Sequence, residues 1–210
     1  GGSYNIAIGY QALEKNTANN NTAIGYLALE ENTTATQCVA VGYGALTDNT
    51  TANYCTAVGS NALANNTTGV DNTAVGQGAL TANTTANYNT AVGRNALSAN
   101  TTGYENTAVG RNALVTNTTG YHNVAVGFKT LEDLTGGYFN TAIGHDAMKE
   151  ATTATYNVAI GRDAMLNCLD GAANTAIGNN ALDAITDATS NVAIGDFSLS
   201  ATTTSRNVAV

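Results

Sequence analysis

The chain contains no proline and no tryptophan, and only 10% of its 210 residues are charged. Disordered chains are usually rich in charge and proline, whereas 43% of this chain is hydrophobic, mostly Ala, Val, Ile and Leu. These scarcities exclude a disordered chain. They indicate a folded protein with a narrow core built from small side chains.

Basic residues are scarce as well. Lys and Arg number seven against 15 Asp and Glu, which gives a net charge of −8. Nucleic acid and anionic membranes require clustered basic side chains, so we expect neither as a partner. No apolar run approaches the length of a membrane span, so we expect no membrane insertion. The opening Gly1-Gly2-Ser3 is typical of a cut boundary, and no signal peptide is visible.

What the chain has in quantity is one phrase, Asn-Thr-Ala-Val-Gly at residues 72–76, which recurs with its spacer from end to end. The Ala-(Ile/Val)-Gly core returns every 17 residues, except for one step of 16 between Gly9 and Gly25. A fixed period of this length indicates a solenoid. We predict a single repeat domain over 1–210, and we expect the natural termini to lie elsewhere, because the last copy lacks a polar cap. The coils start near residues 5, 21, 38, 55, 72, 89, 106, 123, 140, 157, 174 and 191, and a truncated copy starts at 207.

Each repeat has the pattern of two short strands and a corner. The first strand is Thr/Val-Ala-Val/Ile, whose alternation places Ala on one side and the β-branched residues on the other. The second is Ala-Leu, as at Ala96-Leu97, and its leucine is the predicted core anchor. An Asn-Thr-Thr corner such as 66–68 should stack into ladders. Because Thr, Asn, Gly and Val disfavour helix, we predict an all-β fold, a parallel β-solenoid of about twelve coils.

The corner asparagine is lost in the C-terminal part of the chain. We therefore expect the last five coils to have a more apolar edge. The replacements are Leu134, Ala151, Cys168, Ile185 and Thr202.

The third residue of the first strand forms the candidate chain–chain stripe. Its central members are Val58, Val75, Val92, Val109 and Val126. Two placements are open. In an oligomer the stripe is buried between chains, and in a monomer it faces the interior of its own coil.

Three cysteines and two histidines are available for reactive chemistry. Cys38 and Cys55 replace the first asparagine in successive repeats and should stack about 4.8 Å apart, where a disulfide or a simple small-residue substitution both fit. Cys168 has no obvious mate, and His122 and His145 sit at variable positions that should be exposed. No catalytic, metal-binding or nucleotide-binding pattern is present, so we expect no enzymatic activity, no metal and no cofactor.

Two surface ladders are candidate binding sites. A threonine ladder could order water and bind ice, or could simply satisfy backbone groups at the corner. A tyrosine ladder could contact a glycan or a protein, or could cover the corner or line a contact between chains. The threonines are Thr33, Thr50, Thr67, Thr84, Thr101 and Thr118, and the tyrosines are Tyr104, Tyr121 and Tyr138.

Ice-binding strands usually carry two outward threonines separated by one inward residue, whereas the corner threonines here are adjacent. Two other features of the surface bear on the structure. Arg94 and Arg111 should be stacked neighbours of like charge, which is tolerable only in solvent. Six corner asparagines match the N-glycosylation pattern, although we expect a structural role for them. They are Asn32, Asn49, Asn66, Asn83, Asn100 and Asn117.

The phrases at 72–76, 89–93 and 106–110, together with Asn-Val-Ala-Ile-Gly at 157–161, resemble the Ser-Val-Ala-Ile-Gly head repeats of YadA-like trimeric autotransporter adhesins. Similar Asn-Thr-Ala-Ile-Gly arrays occur in phage tail fibres. The resemblance covers essentially the whole chain. It implies a left-handed β-roll, three chains side by side with the β-branched residues facing the trimer axis, and an extracellular or virion fibre. The period here is longer than in the adhesin heads, so the outer turn differs.

We therefore expect a non-enzymatic structural or adhesive segment of an extracellular fibre on a cell surface or virion. Its expected partners are further copies of itself and a host-surface glycan or matrix protein. Two alternatives stay open, a monomeric ice-binding solenoid and a self-stacking filament subunit.

Overall fold

The computed structural model describes residues 2–210, and each coil contributes one short β-strand. Every strand has three residues except the last, which has two. The strands are β1 (Ile6–Ile8), β2 (Thr22–Ile24), β3 (Val39–Val41), β4 (Thr56–Val58), β5 (Thr73–Val75), β6 (Thr90–Val92), β7 (Thr107–Val109), β8 (Val124–Val126), β9 (Thr141–Ile143), β10 (Val158–Ile160), β11 (Thr175–Ile177), β12 (Val192–Ile194) and β13 (Val208–Ala209).

The strands form one 13-stranded parallel sheet in simple sequence order. Each residue pairs with its counterpart one repeat later, as Ala74 does with Ala91. The predicted all-β parallel β-solenoid is therefore confirmed, and its register is the period of the sequence.

The prediction of a second strand over Ala-Leu is wrong. That segment is a turn. Every second residue has a positive φ, 57° at Asn95 and 51° at Leu97, while Ala96 between them does not. Asn95 donates its backbone N–H to the coil before, at Gln77 O (2.9 Å), and Leu97 donates to the coil after, at Ala113 O (3.0 Å). Coil-to-coil hydrogen bonding thus continues without extended backbone.

The leucine of this turn is the core anchor, as predicted. Leu97 and its stacked neighbours Leu80 and Leu114 have no exposed surface. The strand alanine, such as Ala91, and the turn alanine, such as Ala96, are also fully buried and leave room for one large side chain per coil. The core is therefore a column of Leu or Met walled by Ala.

Glycine follows each strand from β1 to β12, where the backbones of successive coils approach closely. Gly76 has φ of +132°, and a Cβ at this position would lie 2.6 Å from the carbonyl oxygen of Gly93. Both the positive φ and the contact exclude other residues. The glycine column closes the corner between strand and turn.

Two asparagine ladders run inside the solenoid. Gly103 O accepts hydrogen bonds from Asn89 Nδ2 (2.9 Å), in the asparagine column that precedes the strands, and from Asn100 Nδ2 (2.8 Å), in the corner column. Asn100 Nδ2 also donates to Asn83 Oδ1 in the preceding coil (3.1 Å). The predicted corner ladder is confirmed. Because the corner asparagines Asn32 to Asn117 are fully buried, their glycosylation pattern is inaccessible in the folded chain.

The loss of the corner asparagine changes the interior. Leu134, Ala151, Cys168 and Ile185 have no exposed surface. We expected these residues to make the outer edge of the last five coils more apolar. That location is wrong, because the side chains point into the coil and extend the core.

Cys38 and Cys55 are buried free thiols. The Cys38 thiol donates to Ala52 O (3.2 Å) and the Cys55 thiol donates to Gly69 O (3.3 Å). In other coils the equivalent carbonyl accepts a hydrogen bond from an asparagine Nδ2, as Gly103 O does from Asn89. A hydrogen bond with Cys38 and burial together raise the pKa of Cys55. The pair occupies asparagine positions of the ladder, which agrees with the substitution alternative.

Candidate interaction face

The outer side of the sheet carries the candidate stripe. In β5 the middle residue, Ala74, is fully buried in the coil, while Thr73 and Val75 on either side of it are partly exposed. Val58 in β4 is 36% exposed and Ile143 in β9 is 39% exposed. The stripe therefore points away from the core of its own chain, and the interior placement is wrong for the single chain.

We name the strand face the outward surface formed by the first and third residues of β1 to β12. Its first column mixes Thr with Val and has one Ile, Ile6, and its third column is entirely Val or Ile. β-branched side chains have few rotamers, so each column presents a stiff row with a repeat of about 4.8 Å. The strand face contains all five predicted stripe residues, Val58, Val75, Val92, Val109 and Val126.

Two further columns border the strand face. The N-terminal edge is formed by the residue two positions before each strand, and the C-terminal edge by the residue two positions after it. Glu105 on the first edge and Arg94, Arg111 and Arg162 on the second are all exposed. The N-terminal edge includes Tyr54, Asp71, Tyr88, Glu105, His122, Phe139 and Tyr156, and the C-terminal edge includes Tyr26, Tyr43, Ser60, Gln77, Arg94, Arg111, Phe128, His145 and Arg162.

The predicted tyrosine ladder lies beside the N-terminal edge. Tyr104, Tyr121 and Tyr138 stack with ring centroids 5.0 Å apart and planes within 4°. Phe139 stacks between His122 (4.7 Å) and Tyr156 (5.2 Å) in the edge column itself, and the two columns meet edge to face. Since the ring faces cover one another, the cluster has few free faces for a sugar and suits a contact along its ring edges.

The threonine ladder uses its hydroxyl groups within the chain. Thr33 Oγ1 donates to Thr50 O (2.9 Å), and Thr67 Oγ1 donates to Thr84 O (3.0 Å). A hydroxyl has a single proton to donate. Thr50, Thr101 and Thr118 donate in the same way, whereas Thr84 Oγ1 makes no hydrogen bond within residues 2–210. This geometry is that of a corner ladder that satisfies backbone carbonyls.

The structure also brings together a set that we did not anticipate. One potential ligand atom each from His145, Asp146 and Asp163 lies within 4.8 Å of the others. By ligand type the set is compatible with Zn²⁺. However, His145 Nδ1 contacts Asp146 Oδ2 (3.2 Å), and Arg162 Nε contacts Asp163 Oδ2 (3.0 Å). The signal in the sequence was that the two aspartates are one period apart.

His122, the other histidine, contacts the Glu105 carboxylate through Nδ1 (3.0 Å).

Residues 2–210 enclose no pocket. The same residues form no helix with the length and hydropathy needed to cross a membrane.

The candidate site is thus a surface, made of the strand face and its two edges. Comparisons of this chain with models of protein families, with curated proteins and with solved structures found no match.

Proposed function

We propose that this chain is a rigid, non-enzymatic segment of a homotrimeric extracellular fibre, in which the strand faces of three copies pack against one another. The observation that carries the proposal is the outward direction of the Val/Ile column. The chain already fills its own interior with Leu and Ala, so the exposed β-branched stripe is surplus to the core of one copy. A continuous apolar patch of this kind marks a contact surface.

The resemblance to adhesin head repeats points to three copies, because it implies three chains side by side with the β-branched residues facing the trimer axis. The strand face is narrow, since only the three residues of each strand are extended and the backbone turns on either side, with φ of 54° at Glu105 and 140° at Gly110.

Attachment would then use the surfaces that remain outside the trimer. These are the turns and the Asn-Thr-Thr corners, whose partner we propose to be a host-surface glycan or a matrix protein. The length of the rod, about 60 Å for twelve coils, would hold such a surface away from a cell or virion.

The mass in solution tests the proposal. Light scattering on a sizing column should give three times the 21.3 kDa of one chain. Val75→Asp combined with Val92→Asp should reduce the mass to that of a monomer, because charges would be buried at the axis. The matched control, Thr68→Asp with Thr102→Asp, adds the same charges at exposed corner positions of two coils and should leave the mass unchanged. A monomeric parent protein would overturn the proposal, and a mass that grows with concentration would indicate a filament instead.

One observation favours a second candidate function, ice binding by a monomer. In β4 to β7 each strand has an outward Thr, an inward Ala and an outward Val, as in Thr73-Ala74-Val75. The spacing of two outward residues around one inward residue is the one that ice binding requires, but only one of the two outward residues is Thr. The adjacent threonines of the corner ladder do not have this spacing. The same face cannot serve both functions. Thermal hysteresis shown by a monomer would support ice binding, and its absence would reject it.

A further inference from the structure

We propose that His145, Asp146 and Asp163 form a site for a divalent transition-metal ion of the Zn²⁺ class, which joins the ninth coil to the tenth. From the sequence we expected no metal, because these residues come together only when successive coils stack. This inference goes beyond the proposed function and does not depend on it, since every ligand belongs to one chain.

The ligand atoms have the spacing that an ion requires. Within residues 2–210 no other three His, Cys, Asp or Glu side chains bring ligand atoms within 4.8 Å of one another. His145 Nδ1 lies 3.2 Å from Asp146 Oδ2. Two ligand atoms that bind Zn²⁺ tetrahedrally at about 2.0–2.2 Å are separated by roughly 3.4 Å. The histidine and the first aspartate are therefore already spaced for coordination.

The two aspartates occupy the same position in successive coils, two residues after the glycine. No other residue of that column is acidic. Their side chains are only 20% and 14% exposed. Like charges on neighbouring coils repel, and the repulsion is stronger where water is partly excluded. A divalent cation bound by both carboxylates would replace this repulsion with attraction.

Asp146 also carries an acceptor that the chain leaves unsatisfied. Its Oδ1 is buried and accepts no hydrogen bond within the described residues. Lys129, one coil earlier in the same column, contacts Glu132 instead (3.3 Å), and Lys149 forms no ion pair within residues 2–210. A buried carboxylate oxygen without a partner is costly. This observation is independent of the grouping of the three side chains, and it also points to a cationic ligand.

Arg162 is the competing partner at this site. Its Nε contacts Asp163 Oδ2, but its side chain is 71% exposed, and surface ion pairs of this kind are weak. A carboxylate has a second oxygen that can bind an ion at the same time. Imidazole together with carboxylates suits Zn²⁺ and its neighbours, whereas Ca²⁺ and Mg²⁺ prefer oxygen ligands alone.

Calorimetric titration of the metal-free full chain with Zn²⁺ tests the site. The parent should bind one ion per chain. His145→Gln and Asp163→Asn should each weaken binding by about tenfold or more, because losing a ligand costs at least as much as losing the group that supports it. Two matched controls should bind as the parent does. His122→Gln removes the other histidine, and Glu150→Gln removes an acidic side chain of the same coil.

Urea unfolding shows that the variants are folded. Saturating Zn²⁺ should raise the urea midpoint of the parent and of both controls, and should leave that of His145→Gln unchanged. No saturable binding by the parent would overturn the site. Equal affinity in His145→Gln would place the ion elsewhere and would overturn it as well. A monomeric mass would overturn the proposed function and leave this inference standing.

Discussion

Asn117 ends the corner ladder because Leu134 occupies the next position above it. Asn117 Nδ2 donates to Asn100 Oδ1 (2.9 Å) and to Gly120 O (3.1 Å). Its own Oδ1 is buried and accepts no hydrogen bond within the described residues, since a leucine has no proton to donate. The change of composition along the chain thus leaves one orphaned acceptor at the boundary between two kinds of coil.

The first prediction compares the same substitution at two adjacent corners. Asn117→Leu removes the orphaned oxygen and orphans Asn100 Oδ1 instead, so the number of unpaired acceptors is unchanged. Asn100→Leu orphans Asn83 Oδ1 and keeps the orphan at Asn117, which makes two. We expect Asn100→Leu to be the less stable variant by about 1–3 kcal/mol. Urea midpoints at one protein concentration measure the difference, and equal midpoints would contradict the ladder account.

The second prediction concerns the glycine column. Gly76→Ala places a Cβ against Gly93 O, whereas Gly195→Ala, at φ +120°, meets nothing within 4 Å. Both substitutions strain the backbone, at a cost of roughly 1–3 kcal/mol each, and only the first adds a collision. We therefore expect Gly76→Ala to lower the urea midpoint further than Gly195→Ala. Equal effects of the two substitutions would show that the backbone conformation alone accounts for the recurrence of glycine along the repeat.

The third prediction tests the threonine corner. Thr67→Val removes the hydroxyl that donates to Thr84 O and should destabilise the protein by about 0.5–1.5 kcal/mol, whereas Thr67→Ser keeps the donor. Thr68→Val is the control, because the exposed Thr68 hydroxyl makes no hydrogen bond in the described part of the chain. Urea midpoints of the three variants would show whether the ladder is structural. No loss of stability in Thr67→Val would reopen a surface role.

The fourth prediction is a pH dependence. Burial raises the pKa of Cys168 to about 11 from 9.0. The unfolded chain loses this proton at lower pH than the folded chain, so the contribution of the thiol to stability is complete below pH 9.0 and is lost as the pH rises through about 11. Cys168→Ala is the control, since Ala151 fills the same position one coil earlier. The urea midpoint of the parent should fall relative to that of the control between pH 8 and pH 10.5; a constant difference would exclude the linkage.

The sequence predicts the solenoid well because the repeat period of the sequence equals the offset between paired residues in neighbouring strands. Every strand pairs with the same three residues one repeat away, so the length of the repeat determines the topology. The Ala-Leu segment was harder to predict, because its hydrophobic pattern does not distinguish a short strand from a turn. The available signal was residue choice. That position holds Leu or Met from Leu13 to Leu199 and never Val or Ile, and β-branched residues avoid positive φ.

The direction of the strand face could not be decided from alternation alone. Both sides of each strand carry aliphatic residues, and only the cross-section of the coil excludes the larger ones from the interior. The buried asparagines were a second signal that could have been used, since Asn72 and Ala74 lie on the same side as the core. The grouping of His145 with Asp163 required the coil-to-coil stacking before it could be recognised.

Each strand contacts only the strand before it and the strand after it. Within the stretch that keeps the corner asparagine, each interior coil consequently has the same kind of neighbours as the next one, and removing residues 72–88 would join two sequences that already match. Such a deletion would shorten the rod by about 4.8 Å without changing any contact type. Copy number therefore sets reach, and recombination between repeats could tune the span of the molecule one step at a time.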